Sequence, residues 1–210
     1  MLELQDKGAH NINLVTPTHY IVQIKKAIKK AKMNGLIIPI VYNTSGYEKE
    51  ESLKLLDGLI DIYLPDFKYY DNSYAKKYSN ALNYFEYITK SLKEMYRQTG
   101  PCQFSKDGIL QKGIIVRHLM LPTLKEDSKK ILEYLYNNYH DNIYISIMNQ
   151  YTPPNNIKEK ELKNKIDNND YDEIIEYALN LGIKNAYCQL DGTVSESFIP
   201  KFNLDGVLKK

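Results

Sequence analysis

DIYLPDFK, residues 61–68, is a short apolar run that ends in a charged tip. Four other stretches repeat that design: NINLVTPTH (11–19), PIVYNTSG (39–46), IIVRHLMLP (114–122) and ISIMNQYTP (145–153). Short, β-branched apolar stretches separated by helical patterns read as parallel strands. In parallel sheets, ligands bind where the carboxyl ends of the strands meet. The five polar tips are therefore expected to form one site.

Helical periodicity fills the intervals. After Pro17 and Thr18, Ile21, Ile24, Ile28 and Ala31 recur at three- and four-residue steps until Gly35 ends the segment. Leu53 and Leu56 mark a short helix stopping at Gly58, and Phe85, Ile88, Leu92 and Met95 a longer one stopping near Gly100. Ile131, Leu132, Leu135 and Tyr139 mark another, and Ile174, Ile175, Ala178 and Leu179 a last one before the strand-like NAYCQ. Strand and helix alternate, which predicts an α/β fold with a parallel sheet or barrel and right-handed crossovers. Residues 71–113 hold more chain than one helix requires, so an extra helix or a loop across the strand ends is expected there. Residues 152–170, rich in Pro, Asn and charge, read as a flexible connection within a single domain spanning 1–210.

Composition narrows the function classes. The chain has 210 residues, 43% hydrophobic and 26% charged, which suits one core. Its 28 Lys and Arg against 26 Asp and Glu leave a net charge of +2, too little to attract a phosphate backbone, so no nucleic-acid partner is expected. No run approaches the roughly 18 apolar residues of a membrane helix, and the opening MLELQDKGAHN lacks the basic start and apolar core of a signal peptide. A cytoplasmic chain with no membrane partner is the expectation. The two cysteines, Cys102 and Cys188, fall outside any paired spacing, and Cys188 in its apolar run reads as a packing residue. The 19 tyrosines are scattered without a basic stripe, which favours amphipathic packing over a base-stacking platform.

The polar tips supply the candidate chemistry. Asp66 and Lys68 sit two apart on a strand and share a face, where an acid and an ammonium can hold each other or grip a zwitterionic ligand. The alternative is a surface ion pair of little energetic weight. Arg117 interrupts an apolar strand, and a guanidinium there needs an acceptor, which a ligand carboxylate, a ribose or Asp66 would provide. His118 alternates to the other face and reads as a satisfied core histidine. His19 lies just past a strand in a helix's first turn, where histidine is often only solvated. Asn43, Thr44, Ser45 and Gly46 form a polar turn suited to an adenosine or phosphate. Gln150 and Tyr151 could face a nucleobase edge, though a plain turn explains them as well.

Taken in order, NINLVTPTH, NTSGYE, LPDFKY, IVRHLMLP and MNQYTP resemble radical S-adenosylmethionine enzymes of the pyruvate formate-lyase activating enzyme type, over nearly the whole chain. The resemblance implies a partial (β/α) barrel and S-adenosylmethionine as ligand. It places the methionine moiety at Asp66 and Lys68, the family's fifth-strand arginine at Arg117, the third-strand turn at Asn43 to Gly46, Ser45 included, and the adenine near Gln150 and Tyr151. Where the family carries a glycine-rich acidic motif, this chain has Thr16, Pro17, Thr18 and His19.

One departure bears on activity. The family holds a [4Fe-4S] cluster through three cysteines in CxxxCxxC, and Cys102 and Cys188 cannot supply that set. MLELQDKG also reads as the last turn of a helix and its stop, as though the first strand unit were missing from this chain, leaving NINLV as a sheet edge open to aggregation or to a partner. The expectation is a chain inactive alone, whose partner is a cluster-bearing segment or a protein substrate. Two other readings stand beside it: a cluster-free module that binds S-adenosylmethionine or a partner, and a lyase using Lys68 as a Schiff base.

Overall fold

The computed structural model describes residues 1–154 and 157–189. Among them, β1 (Ile12–Val15), β2 (Ile40–Thr44), β3 (Ile62–Pro65), β5 (Leu110–Leu119), β6 (Tyr144–Met148) and β7 (Ala186–Cys188) follow one another across a parallel sheet in that order. A short β4 (Gln103–Phe104) pairs antiparallel with β5. Each crossover steps the same way along the sheet, so the helices collect on one face while the other stays open and concave. That is a partial (β/α) barrel, as expected.

Register assigns the faces. Residues opposite one another on parallel strands share a side. Leu14, Tyr42 and Tyr63 align across β1, β2 and β3, and Val116 aligns with Ile145 across β5 and β6. These residues belong to the core that meets α2 (Ile21–Met33), α5 (Tyr84–Thr99), α6 (Lys125–Tyr139) and α7 (Asn168–Leu181). On α5, Ile88, Leu92 and Met95 recur at helical spacing and are wholly buried, each contributing about 2 kcal/mol. The opposite register, with Asn43 beside Leu64 and Arg117 beside Ser146, lines the concave side.

The helix predictions hold at α2, α5, α6 and α7, with Gly35, Gly100 and Gly182 in the positive-φ conformation that ends three of them. The opening residues form the short α1 (Leu2–Asp6), and Gly8 turns the chain away with φ +82°. Several details differ. The short α3 (Glu50–Lys54) ends before Gly58. The surplus chain in 71–113 is α4 (Asn72–Ser79) together with β4, so strand and helix do not alternate throughout. Asp71 starts α4 by accepting from Ser73 N–H at 2.7 Å, which lowers its pKa. Cys188 is exposed on β7, the last strand in the described order, although its register opposite Ile147 puts it on the helix side, and the packing assignment is corrected. Within 157–170, Glu161 pairs with Lys77 and accepts from Tyr78 Oη, while Leu162 O accepts from Tyr151 Oη at 2.9 Å. No helix among the described residues is long and apolar enough to cross a membrane.

Gly46 is the tightest point of the β2–α3 turn. Its φ is +78°, and an added Cβ would lie 2.3 Å from Ile88 Cδ1 and 2.4 Å from Asp66 O. Gly108, with φ +76°, faces open space. Gly46→Ala should cost about 3 kcal/mol, from strain plus overpacking against backbone, whereas Gly108→Ala should cost about 1 kcal/mol from strain alone. Urea unfolding of both variants measures the gap, and equal costs would remove the close approach as the reason for glycine at residue 46.

Candidate functional site

Pro65 ends β3, and the ladder from β3 to β5 pauses there. It runs through Ile62 opposite Gly113 and Tyr63 opposite Ile114, then resumes as a single bridge between Asp66 and Arg117. Asp66 N–H donates to Thr44 O at 2.9 Å, and Phe67 N–H donates to Arg117 O at 2.9 Å. The backbone at Asp66 is thus pinned between the ends of β2 and β5.

Its side chain gathers the neighbours. Arg117 Nη2 lies 2.6 Å from Asp66 Oδ1, and Lys68 Nζ lies 3.1 Å from Oδ2. The same Arg117 nitrogen donates to Asn43 Oδ1 at 2.7 Å. Four predicted residues from three strand ends therefore meet, and Asp66 is the partner that Arg117 requires. Exposure grades outward: the side chains of Asp66, Arg117 and Lys68 are 17%, 30% and 36% exposed, so the lysine is the most open to a ligand. One carboxylate against two cations leaves the rim positive. Arg117 Nε is buried without an acceptor among the described residues.

A supporting layer holds this rim, and most of it was not singled out from the sequence. Tyr84 Oη donates to Asp66 O at 3.1 Å and accepts from Lys68 N–H at 3.0 Å, bracing both ends of the Asp-x-Lys segment. Full burial pushes its phenol pKa up. Asp127, at the start of α6, accepts from Tyr70 and Asp71 N–H at 2.8 and 2.9 Å and fixes the continuation of the loop. Burial raises its carboxyl pKa, with those two bonds opposing. Among 19 tyrosines nothing local marks Tyr84, and an acid in a helix's first turn is too common a pattern to mark Asp127.

The other predicted residues are placed differently. Thr16 follows β1, with its N–H on Asn43 O at 2.8 Å. Thr18 Oγ1 donates to Glu48 at 2.6 Å, while His19 and Ser45 are exposed at the ends of β1 and β2. Gln150 lies beyond β6, where its Oε1 accepts from Gln189 Nε2 at 2.8 Å and its Nε2 contacts Met148 Sδ at 3.7 Å. It bonds there to the β6–β7 side and not to the Asp66 group. Tyr151 is buried.

The residues present do not fit an iron-sulfur cluster. The chain has two cysteines: Cys102, at the amino-terminal end of the strands, with its Sγ on Ile114 O at 3.3 Å, and Cys188 on β7. No group of three or more His, Cys, Asp or Glu among the described residues converges to hold a metal ion.

Comparison with known proteins supports the fold. No family model matches the chain. An uncharacterised protein of Methanocaldococcus jannaschii is 32% identical over 152 residues, covering 71% of this chain but only 40% of that protein. The chain thus spans well under half the length of this relative. A crystal structure of a domain of pyruvate-formate lyase-activating enzyme from Bacteroides vulgatus superposes with a TM-score of 0.59 at 14% identity, covering 86% of this chain and 98% of that one.

His118 sits behind the rim on the helix side, as its alternation with Arg117 predicts. It is 1% exposed; Nδ1 bonds Phe67 O at 2.8 Å, and Nε2 has no partner among the described residues. The carbonyl can only accept, so Nδ1 carries a proton. Burial lowers its pKa from 6.5 to about 4. Between those values the unfolded chain binds the proton and the folded chain does not, so stability is lost as pH falls from 6.5 towards 4. That loss is about 3 kcal/mol. Urea unfolding at pH 7 and pH 4 should show wild type losing about that much more than His118→Asn, which keeps a donor for Phe67 O without titrating. Equal losses would remove His118 as the cause.

Proposed function

We infer that the rim of Asn43, Asp66, Lys68 and Arg117 binds S-adenosylmethionine, and that the chain is a ligand-positioning core of the radical S-adenosylmethionine type. The observation that carries this reading is the Asp66 carboxylate held on one oxygen by Arg117 and on the other by Lys68, with Asn43 on the same guanidinium nitrogen. The surplus positive charge suits a ligand carboxylate, and Asp66 offers the opposite charge to a ligand amine. The remaining donors of Lys68, the most open of the three charged groups, meet the carboxylate first. Thr16, Thr18, His19 and Ser45 border the ends of β1 and β2, and Gln150 borders β6, where they flank the adenosyl part.

The role assigned stops at holding the ligand. The cysteines present cannot ligate a cluster, so no reaction step is assigned to this chain. Radical chemistry on the bound ligand would need a redox centre from another chain or segment, with a protein substrate as the further partner. Lys68 Nζ lies 3.1 Å from Asp66, which supports reading it as a ligand-holding group.

Isothermal titration calorimetry with S-adenosylmethionine, S-adenosylhomocysteine, methionine and adenosine tests this. Wild type should bind S-adenosylmethionine with a Kd below about 1 mM, and Asp66→Asn and Arg117→Ala should each weaken binding about tenfold or more, with Lys68→Ala losing less. No heat of binding to a chain that circular dichroism reports as folded would overturn the reading.

A further inference from the structure

Thr16 carries the backbone strain of the rim. It is β-branched, yet it holds φ +51° and ψ +53°, the left-handed region. Such a conformation persists only where the surroundings over-determine it, and strain of this kind gathers at functional sites. Two restraints act here. Thr16 N–H donates to Asn43 O at 2.8 Å, tying the turn to β2. Two residues later, Thr18 Oγ1 donates to Glu48 Oε1 at 2.6 Å, across from the β1–α2 loop to the β2–α3 loop.

Glu48 is an unusual anchor. It is 2% exposed, and its Oε1 also accepts from Thr44 Oγ1 at 2.6 Å and Tyr42 Oη at 3.2 Å. Its main-chain O accepts from Ser91 Oγ at 3.0 Å, which fixes the residue to α5. The other carboxylate oxygen, Oε2, is buried with no partner among the described residues. A buried acid with one oxygen unmet is costly, so packing alone does not account for a carboxylate at this position. One carboxylate oxygen thus meets three hydroxyls, those of Thr18, Tyr42 and Thr44.

We propose that Glu48 is a positioning residue, a latch that draws the 3-10 turn Pro17–Tyr20 onto the end of β2 and keeps Thr16 in its strained conformation beside Asn43. The consequence for affinity rests on the rim being the ligand site; the latch itself does not. Thr44 bonds Glu48 through its side chain and Asp66 N–H through its carbonyl, so the latch and the charged rim share one strand residue. Releasing the latch frees the turn first and reaches the ligand through Asn43.

Amide hydrogen exchange across the chain, with thermal unfolding in parallel, tests the latch without any ligand. Thr18→Val removes the cross-loop hydroxyl while keeping the side chain's size, and should speed exchange at residues 16 and 18–20 at least tenfold while α5 and α6 keep wild-type protection. Thr18→Ser restores the hydroxyl and should return those rates to wild type. Glu48→Gln puts an amide NH2 on one branch of the former carboxylate and should speed the same amides. Calorimetry on the same samples should show S-adenosylmethionine affinity falling several-fold in Thr18→Val and recovering in Thr18→Ser. Unchanged exchange at 16 and 18–20 in both Thr18→Val and Glu48→Gln overturns the latch, and so does a uniform rise across α5 and α6, which would make Glu48 a global stabiliser only. If wild type fails to bind S-adenosylmethionine while the exchange pattern appears, the ligand reading fails and the latch stands.

Discussion

The carboxylate of Asp66 bridges the seam of the sheet. On one side lie β1, β2 and β3, on the other β5, β6 and β7, and between β3 and β5 the regular ladder covers only two registered pairs before Pro65. Proline has no N–H to give, which confines it to strand ends and breaks in the ladder. Beyond it the two halves are joined by the Asp66–Arg117 bridge and the ion pair that accompanies it. The same contact therefore extends the join between β3 and β5 beyond Pro65 and builds the charged rim. An Asp66 without Arg117 would leave a partly buried charge to be met by Lys68 alone, and an Arg117 without Asp66 would leave a guanidinium with the neutral Asn43 amide in place of a carboxylate. Both are costlier than the paired state, so each residue requires the other.

The surroundings of this pair are built to limit its movement. Tyr84 braces the main chain on either side of Phe67, Gly46 lets the β2–α3 turn come within contact of Asp66 O, and His118 holds Phe67 O from the helix side. Restraints on three consecutive residues, 66–68, come from α5, the β2 turn and β5. A rim held this way presents its charges with little reorganisation, which is what a binding site needs to hold a flexible zwitterion. The opposite end of the concave face is apolar and aromatic: Phe104, Tyr144 and Tyr187 stack edge to face and in parallel.

Much of this was legible in the chain itself. Runs of apolar residues ending in polar tips gave the strands, because burial on both sides of a parallel sheet removes polar residues from everywhere but the ends. Asn43, Asp66, Lys68 and Arg117 were visible as exceptions to that rule, and alternation alone separated Arg117 from His118. Other features left no mark. Glu48 lies in NTSGYE, where a glutamate reads as an exposed helix-start residue, and only the hydroxyls of Thr18, Tyr42 and Thr44 make it a buried anchor. Gln150 stood among the tip residues, yet its side chain pairs with Gln189, which lies 39 positions away in sequence. Cys188 looked apolar by its neighbours and is exposed on the last strand in the described order.

The sequence by itself determined the parallel, helix-covered architecture and which strand ends carry charge, because both follow from the one-dimensional pattern of what must be buried. It also determined that Cys102 and Cys188 cannot supply the three spaced thiolates of a cysteine-ligated cluster. The tertiary structure alone decided who pairs with whom: that Asp66 is shared by two cations, that the break at Pro65 places this pair on the seam, and that a buried glutamate ties two loops together. Those outcomes depend on contacts between residues dozens of positions apart, where angles and distances of a few ångströms select one partner among many, and no local periodicity encodes them.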